Sequence, residues 1–126
     1  MKHLPRIICD VIPHKDQIYD TAGDYEKQHG EWFFTISKME ADYEFMVLVH
    51  EIIEWYLTQK RGIKLKDIDY FDMKGEGKDS ADPGSMKSAP YYKEHMFSMK
   101  IEKMLCKELG LDWKKYDKSF NKLKWK

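Results

Sequence analysis

Cysteine is scarce in this chain: Cys9 and Cys106 stand far apart and in no C-x-x-C pair. That spacing excludes a disulfide framework and a zinc ribbon, and two buried thiols in a reducing compartment are expected. Net charge is missing as well. The 22 basic residues balance 22 acidic ones, so no global field draws the protein onto nucleic acid or an anionic membrane. No apolar run approaches the roughly 20 residues that span a bilayer. The opening Met1-Lys2-His3-Leu4-Pro5-Arg6 lacks the apolar stretch of a signal peptide. A cytoplasmic protein without a membrane partner is the expectation. Three nucleotide and hydrolase signatures are also absent: G-x-x-x-x-G-K-[ST], G-x-G-x-x-G and G-x-S-x-G. Gly75-Glu76-Gly77-Lys78 is too short and too acidic to cradle a phosphate. There is no internal repeat.

What is present fits one domain spanning residues 1–126, with a basic, aromatic tail over 112–126. Hydrophobic residues make up 42% of 126, enough for one core and not for two. Residues 6–12 and 31–37 are short, β-branched or aromatic runs, and both read as strands. The polar stretch between them, 14–30, reads as turns. Ser37-Lys38-Met39-Glu40 matches a capping box, and Gly62 after Lys60-Arg61 is a stop signal. A long helix over about 39–61 is therefore predicted, with Phe45, Val49, Ile52, Ile53 and Tyr56 on its apolar stripe. Residues 63–74 read as a short helix or an irregular packed segment, and 75–89 as a long loop. Pro90 is placed to open a second long helix that ends before Gly110. The predicted fold is α+β: a small antiparallel sheet packed on two long helices, zincin-like.

The chemistry concentrates in His50-Glu51-Ile52-Ile53-Glu54. Residues four apart share a helix face, so His50 and Glu54 project side by side. An imidazole and a carboxylate in that arrangement are ordinary ligands for zinc or another divalent metal. Glu51 is turned about 100° away, where it reaches a metal-bound water without binding the metal. This is the geometry of H-E-x-x-H with Glu54 in place of the second histidine, and at the motif it resembles zincin-type metallopeptidases. In that motif two histidines bind zinc and the glutamate is the base. Glu94 and His95 in the second helix supply further ligands. Glu94 falls where an apolar residue is expected, and a carboxylate facing a core needs a partner or a metal. Salt bridges between the helices are the alternative. His14 at the end of the first strand is another candidate, as are Asp24, Asp69 and Asp72, whose loop context favours turn capping over ligation.

Several segments together carry a second resemblance: Asp10-Val11-Ile12-Pro13-His14-Lys15-Asp16-Gln17-Ile18-Tyr19, Thr21-Ala22-Gly23-Asp24, His50 to Glu54, Arg61-Gly62-Ile63, Asp69-Tyr70-Phe71-Asp72, Asp82-Pro83-Gly84, Ala89 to His95, and Glu108 to Trp113. Across most of its length the chain resembles a family of small uncharacterised bacteriophage and prophage proteins. That resemblance implies no activity, but it implies that His50 and Glu94-His95 belong to one unit.

The leading expectation is a metal-dependent hydrolase of peptide or amide bonds. A divalent metal, zinc first, is held by His50, Glu54 and His95 or Glu94, and Glu51 is the general base. The alternative is a non-catalytic phage-encoded binding or inhibitor protein with a structural metal or a salt-bridge cluster. A third class, an all-helical nucleotide pyrophosphohydrolase with Glu51, Glu54 and Glu94 on magnesium, needs an oxygen-rich site, which His50 and His95 oppose. Lysines and aromatics in the tail read as an amphipathic segment packed on the body rather than as a nucleic-acid surface. The loop over 75–89 is expected to act as a lid if it borders the site.

Overall fold

The computed structural model describes residues 2–126. Three strands, β1 (Ile7–Ile12), β2 (Gly23–Gln28) and β3 (Glu31–Ser37), precede four helices, α1 (Ala41–Lys60), α2 (Leu65–Met73), α3 (Tyr92–Glu108) and α4 (Trp113–Ser119). The class is α+β, as expected. The sheet is mixed rather than antiparallel. Its order is β1-β3-β2, with β1 parallel and β2 antiparallel to β3. A zincin-like arrangement finds no support here.

β2 lies inside the stretch read as turns. It carries one buried apolar side chain, Tyr25, among polar neighbours, so the alternation that marks a half-buried strand is weak. The signal that identifies it is the two-residue connection His29-Gly30, with φ of 53° and 79°. Both residues positive in φ match the twist of a tight β-hairpin. With β2 paired on one side of β3, β1 must take the other side. The connection from β1 crosses to the far edge and is fastened there by Gln17. The Gln17 amide donates to the Thr35 carbonyl at 3.1 Å and to Ser37 Oγ at 3.2 Å, and Thr35 Oγ1 donates back at 2.9 Å.

Alternation along β3 turns Trp32, Phe34 and Ile36 onto α1. Trp55 of α1 meets Trp32 and Phe34 with ring centroids 5.5 and 5.6 Å apart. Tyr25, in register with Phe34, joins the same cluster. A second cluster of Ile36, Met46, Val47, Cys106 and Tyr116 ties α1 to α3 and α4. A third, Ile68, Phe71, Ala89 and Tyr91, lies under the segment between α2 and α3. Cys9 is exposed on the edge strand, against expectation, while Cys106 is buried.

Two readings of α1 are corrected. Ser37 does not cap it: the residue ends β3, the helix begins at Ala41, and Glu44 reaches back to accept from the Met39 N–H at 2.8 Å. The buried face is also rotated from the predicted stripe. Phe45 and Tyr56 are exposed, while Met46, Val47, His50, Glu54, Trp55 and Thr58 are buried. The polar pair therefore sits in the middle of the covered face. Among the described residues no helix is long and apolar enough to cross a membrane.

Phe34 is fully buried among three aromatic rings and Val11 is half exposed. Phe34→Ala should cost about 3–5 kcal/mol, and Val11→Ala no more than about 0.5 kcal/mol. Urea unfolding of the two variants checks both values.

Candidate metal centre

Helices α1 and α3 run antiparallel, as their cross-helix pairs show: His50 meets Glu102, Glu54 meets His95, and Arg61 meets Glu94. The packing brings His50 Nε2, Glu54 Oε2 and His95 Nδ1 into one triangle. Its edges are 3.1 Å from His50 to Glu54, 3.2 Å between the histidines, and 2.9 Å from His95 to Glu54. The three residues are 7%, 5% and 9% exposed. They form a group whose ligand atoms could hold one metal ion. An ion about 2.0–2.1 Å from three ligands at tetrahedral angles sets them about 3.3 Å apart. The triangle has that shape after opening by about 0.1–0.4 Å.

Each ligand is oriented from behind. The outer nitrogen of His50, Nδ1, lies 2.7 Å from Glu102 Oε1. A carboxylate accepts only, so Nδ1 carries the hydrogen, and once the ring is neutral Nε2 is left to present its lone pair to the triangle. His95 repeats the pattern: Nε2 stands 3.0 Å from Asp82 Oδ1, an ion-pair contact outside hydrogen-bond alignment. Tyr25 OH donates to the other oxygen of Glu54 at 3.1 Å, and Tyr116 OH donates to the other oxygen of Glu102. Carboxylate partners on the far side of ligating histidines are the usual outer shell of a metal site.

Two glycines let the backbone close on this centre. A side chain at Gly23 would place its Cβ 2.7 Å from Glu51 Cγ, and one at Gly84 would place it 2.4 Å from His95 Cγ. β2 thus presses against Glu51, and the turn at Pro83–Ser85 presses on His95. The segment 75–89 therefore borders the site and contributes Asp82 to it.

The other candidates lie elsewhere. Glu94 is not in the triangle. One residue from His95, it is turned toward the end of α1, where Arg61 pairs with it at 2.6 Å. His14 is buried between Ser37 Oγ and Asp20 Oδ1, each 2.7 Å away, and braces the crossover connection. Asp72 accepts from Tyr91 OH at 2.7 Å, and Asp24 accepts from the Tyr25 N–H at 2.8 Å. Sequence reading missed Glu102, Tyr116, Asp82 and Tyr25. Glu102 had a signal: it lies seven residues after His95, on the same helix face. Ser98, between them, is fully buried and its hydroxyl has no partner.

The electrostatics of the site follow from these contacts. Burial alone would lower the pKa of His50, but the hydrogen bonds to Glu102 and Glu54 carry it well above its ordinary value. His95 is likewise opposed by burial and raised to about 9 by Asp82 and Glu54. Burial would raise Glu54, yet its bonds to both histidines hold it at about 2. Glu51 has no such partner: burial, and then the charge of Glu54, push it up to about 8. With no metal bound, these shifts favour two imidazoliums around one carboxylate. Replacing their two protons by one divalent cation leaves the net charge of the buried cluster unchanged.

No protein-family model, curated protein or solved structure matches this chain.

Metal binding at neutral pH should release about two protons from the imidazoles, which must be deprotonated to ligate, and up to about one more from Glu51, whose carboxylate a cation favours. Affinity then rises with pH, the two histidines alone contributing up to about 100-fold per unit while both are charged. Calorimetry of zinc binding in buffers of different ionisation heat counts the protons.

A further test concerns Asp24. Burial, then the nearby charges of Asp69, Glu26 and Asp72, raise its carboxyl from 3.8 to about 7 against the Tyr25 N–H bond. The folded state therefore holds this proton more tightly than the unfolded chain. The stability this confers is full below 3.8 and is lost as pH rises through about 7. Asp24→Asn should match the metal-free wild type in acid and melt at a higher temperature than it at alkaline pH, as thermal scans across that range would record.

Proposed function

We propose that the protein is a metal-dependent hydrolase of peptide or amide bonds, with one divalent metal on His50, Glu54 and His95. The observation that carries this reading is the ligand triangle. Two imidazole nitrogens and one carboxylate oxygen meet within about 0.1–0.4 Å of tetrahedral spacing, each braced by a partner behind it. Three protein ligands leave a fourth position, the pattern of catalytic rather than structural zinc sites. A metal there supplies Lewis acidity and a water acidic enough to attack near neutral pH.

Glu51 is the base in this reading. It is one residue beyond His50, is held against the backbone of β2 at Gly23, and is left out of the histidine contacts. With no metal bound it keeps its proton at neutral pH. A bound cation would favour the Glu51 carboxylate, leaving it able to accept a proton from the attacking water.

A second reading is favoured by one observation: the buried charges balance without any ion, since both histidines are held protonated against the two buried carboxylates Glu54 and Glu102, with the half-exposed Asp82 outside them. On that reading it is a buried ion-pair staple in a non-catalytic binding or inhibitor protein.

Elemental analysis separates the two. The hydrolase reading expects about one zinc per chain, lost in His50→Ala and in His95→Ala. Glu51→Gln should retain the metal and lower the hydrolysis of casein or blocked peptide anilides by about 10²–10⁴-fold. A wild type that takes up no metal ends this reading in favour of the staple. A Glu51→Gln protein with full hydrolytic activity removes Glu51 from the role of base.

A further inference from the structure

The ligand motif belongs to α1 and α3, yet the chain of contacts behind it does not stop there. Glu102 is 6% exposed and uses both oxygens: Oε1 accepts from His50 Nδ1 at 2.7 Å, and Oε2 accepts from Tyr116 OH. Tyr116 is 1% exposed and belongs to α4. Three rings surround it, Tyr43, Phe120 and Trp113, with centroids 5.1, 5.0 and 5.3 Å away. Its hydroxyl therefore has one place to go.

We propose that α4 is a working part of the metal centre: through Tyr116 and Glu102 it fixes His50 as a ligand, so metal binding and the docking of α4 strengthen each other. This rests on the reading of His50, Glu54 and His95 as a metal site, and not on hydrolysis.

The physical case has three steps. His50 ligates only with its hydrogen on Nδ1, and the Glu102 carboxylate selects that tautomer. Glu102 can serve only while its rotamer is held, because a buried carboxylate with one free oxygen seeks another donor. Tyr116 is the donor at that second oxygen. The helix that carries Tyr116 is short, seven residues, and has little intrinsic stability at that length. Asp112 caps its first turn, accepting from the N–H groups of Lys114 and Lys115. Beyond that cap, it is held by packing around Tyr116 and by this hydrogen bond. Coupling between two sites is reciprocal in free energy. If docked α4 raises metal affinity, bound metal must hold α4 down by the same factor. Tyr116 and Glu102 are thus positioning residues rather than catalytic ones.

The test uses the full chain and zinc alone, with a chromophoric chelator as competitor. Tyr116→Phe keeps the ring and removes the donor, and should weaken zinc binding about tenfold. Glu102→Gln keeps the shape and removes the charge, and should weaken it about 10–100-fold. Cobalt loaded in place of zinc should give altered visible bands in Tyr116→Phe, which a purely packing role would leave alone. In the wild type, zinc should slow amide exchange over residues 113–119, and Tyr116→Phe should lose that zinc-dependent protection. This last measurement needs no Glu102 variant and stands if Glu102→Gln fails to fold. If the wild type binds no zinc, the metal reading falls and this inference with it. If the wild type binds zinc but Tyr116→Phe matches its affinity, its cobalt bands and its exchange, the coupling is overturned and the metal site stands.

Discussion

One constraint organises this molecule: carboxylates buried between two helices must be neutralised. Glu54 and Glu102 lie in the α1–α3 interface, where water cannot solvate them. An unpaired charge there costs several kcal/mol, on the order of the whole stability of a domain this size. The histidines answer that demand. His50 stands between both carboxylates, and His95 reaches Glu54 from the opposite helix. The two helices are therefore bound in register as well as in contact. Sliding one past the other by a turn would strand at least two charges.

The rest of the fold accommodates that interface. Aromatic clusters flank it on the sheet side, where Trp55 fills the space between Trp32 and Phe34. Tyr25 belongs to that apolar cluster and still sends its hydroxyl to Glu54. The phenol at Tyr116 does the same for Glu102 from the second cluster. Tyrosine suits both positions because its ring is apolar and its tip is a donor. The outer contacts of the polar centre are in this way built out of core residues, and packing and chemistry are not separable in this chain.

How much of this was legible in the sequence depends on distance along the chain. His50 and Glu54 share one helix face by spacing alone, and His95 stood out as a second ligand source on another helix. Both placements rest on local periodicity, which a sequence displays. The orientation of α1 was misread, because Phe45 and Tyr56 suggested an apolar stripe that the structure leaves exposed. The interface is polar, and apolar periodicity cannot point to a polar face. Glu94 was chosen because it falls where an apolar residue is expected; it is buried there, but a helix turns it about 100° from His95 and its partner is Arg61. Glu102 and Tyr116 are specified by helix packing between distant segments. β2 was hidden by its polarity, although the His29-Gly30 turn marks it. The antiparallel sheet was inferred from two strands. The third strand reverses the relation between them.

That third strand also orders events in time. β1 is the first strand along the chain, yet its partner is β3 rather than β2. β2 and β3 close a hairpin across two residues, a step of about 1–10 μs in isolated peptides. β1 has no backbone partner until residues 31–37 exist, and it must then dock in parallel against an edge already bonded on its other side. Loop closure across that separation is slower and is rewarded only late. On the ribosome the first strand made is thus the last to be paired. Until it docks, β3 carries an open edge. The interval before β1 seals that edge is when this protein is most vulnerable to pairing with another copy of itself.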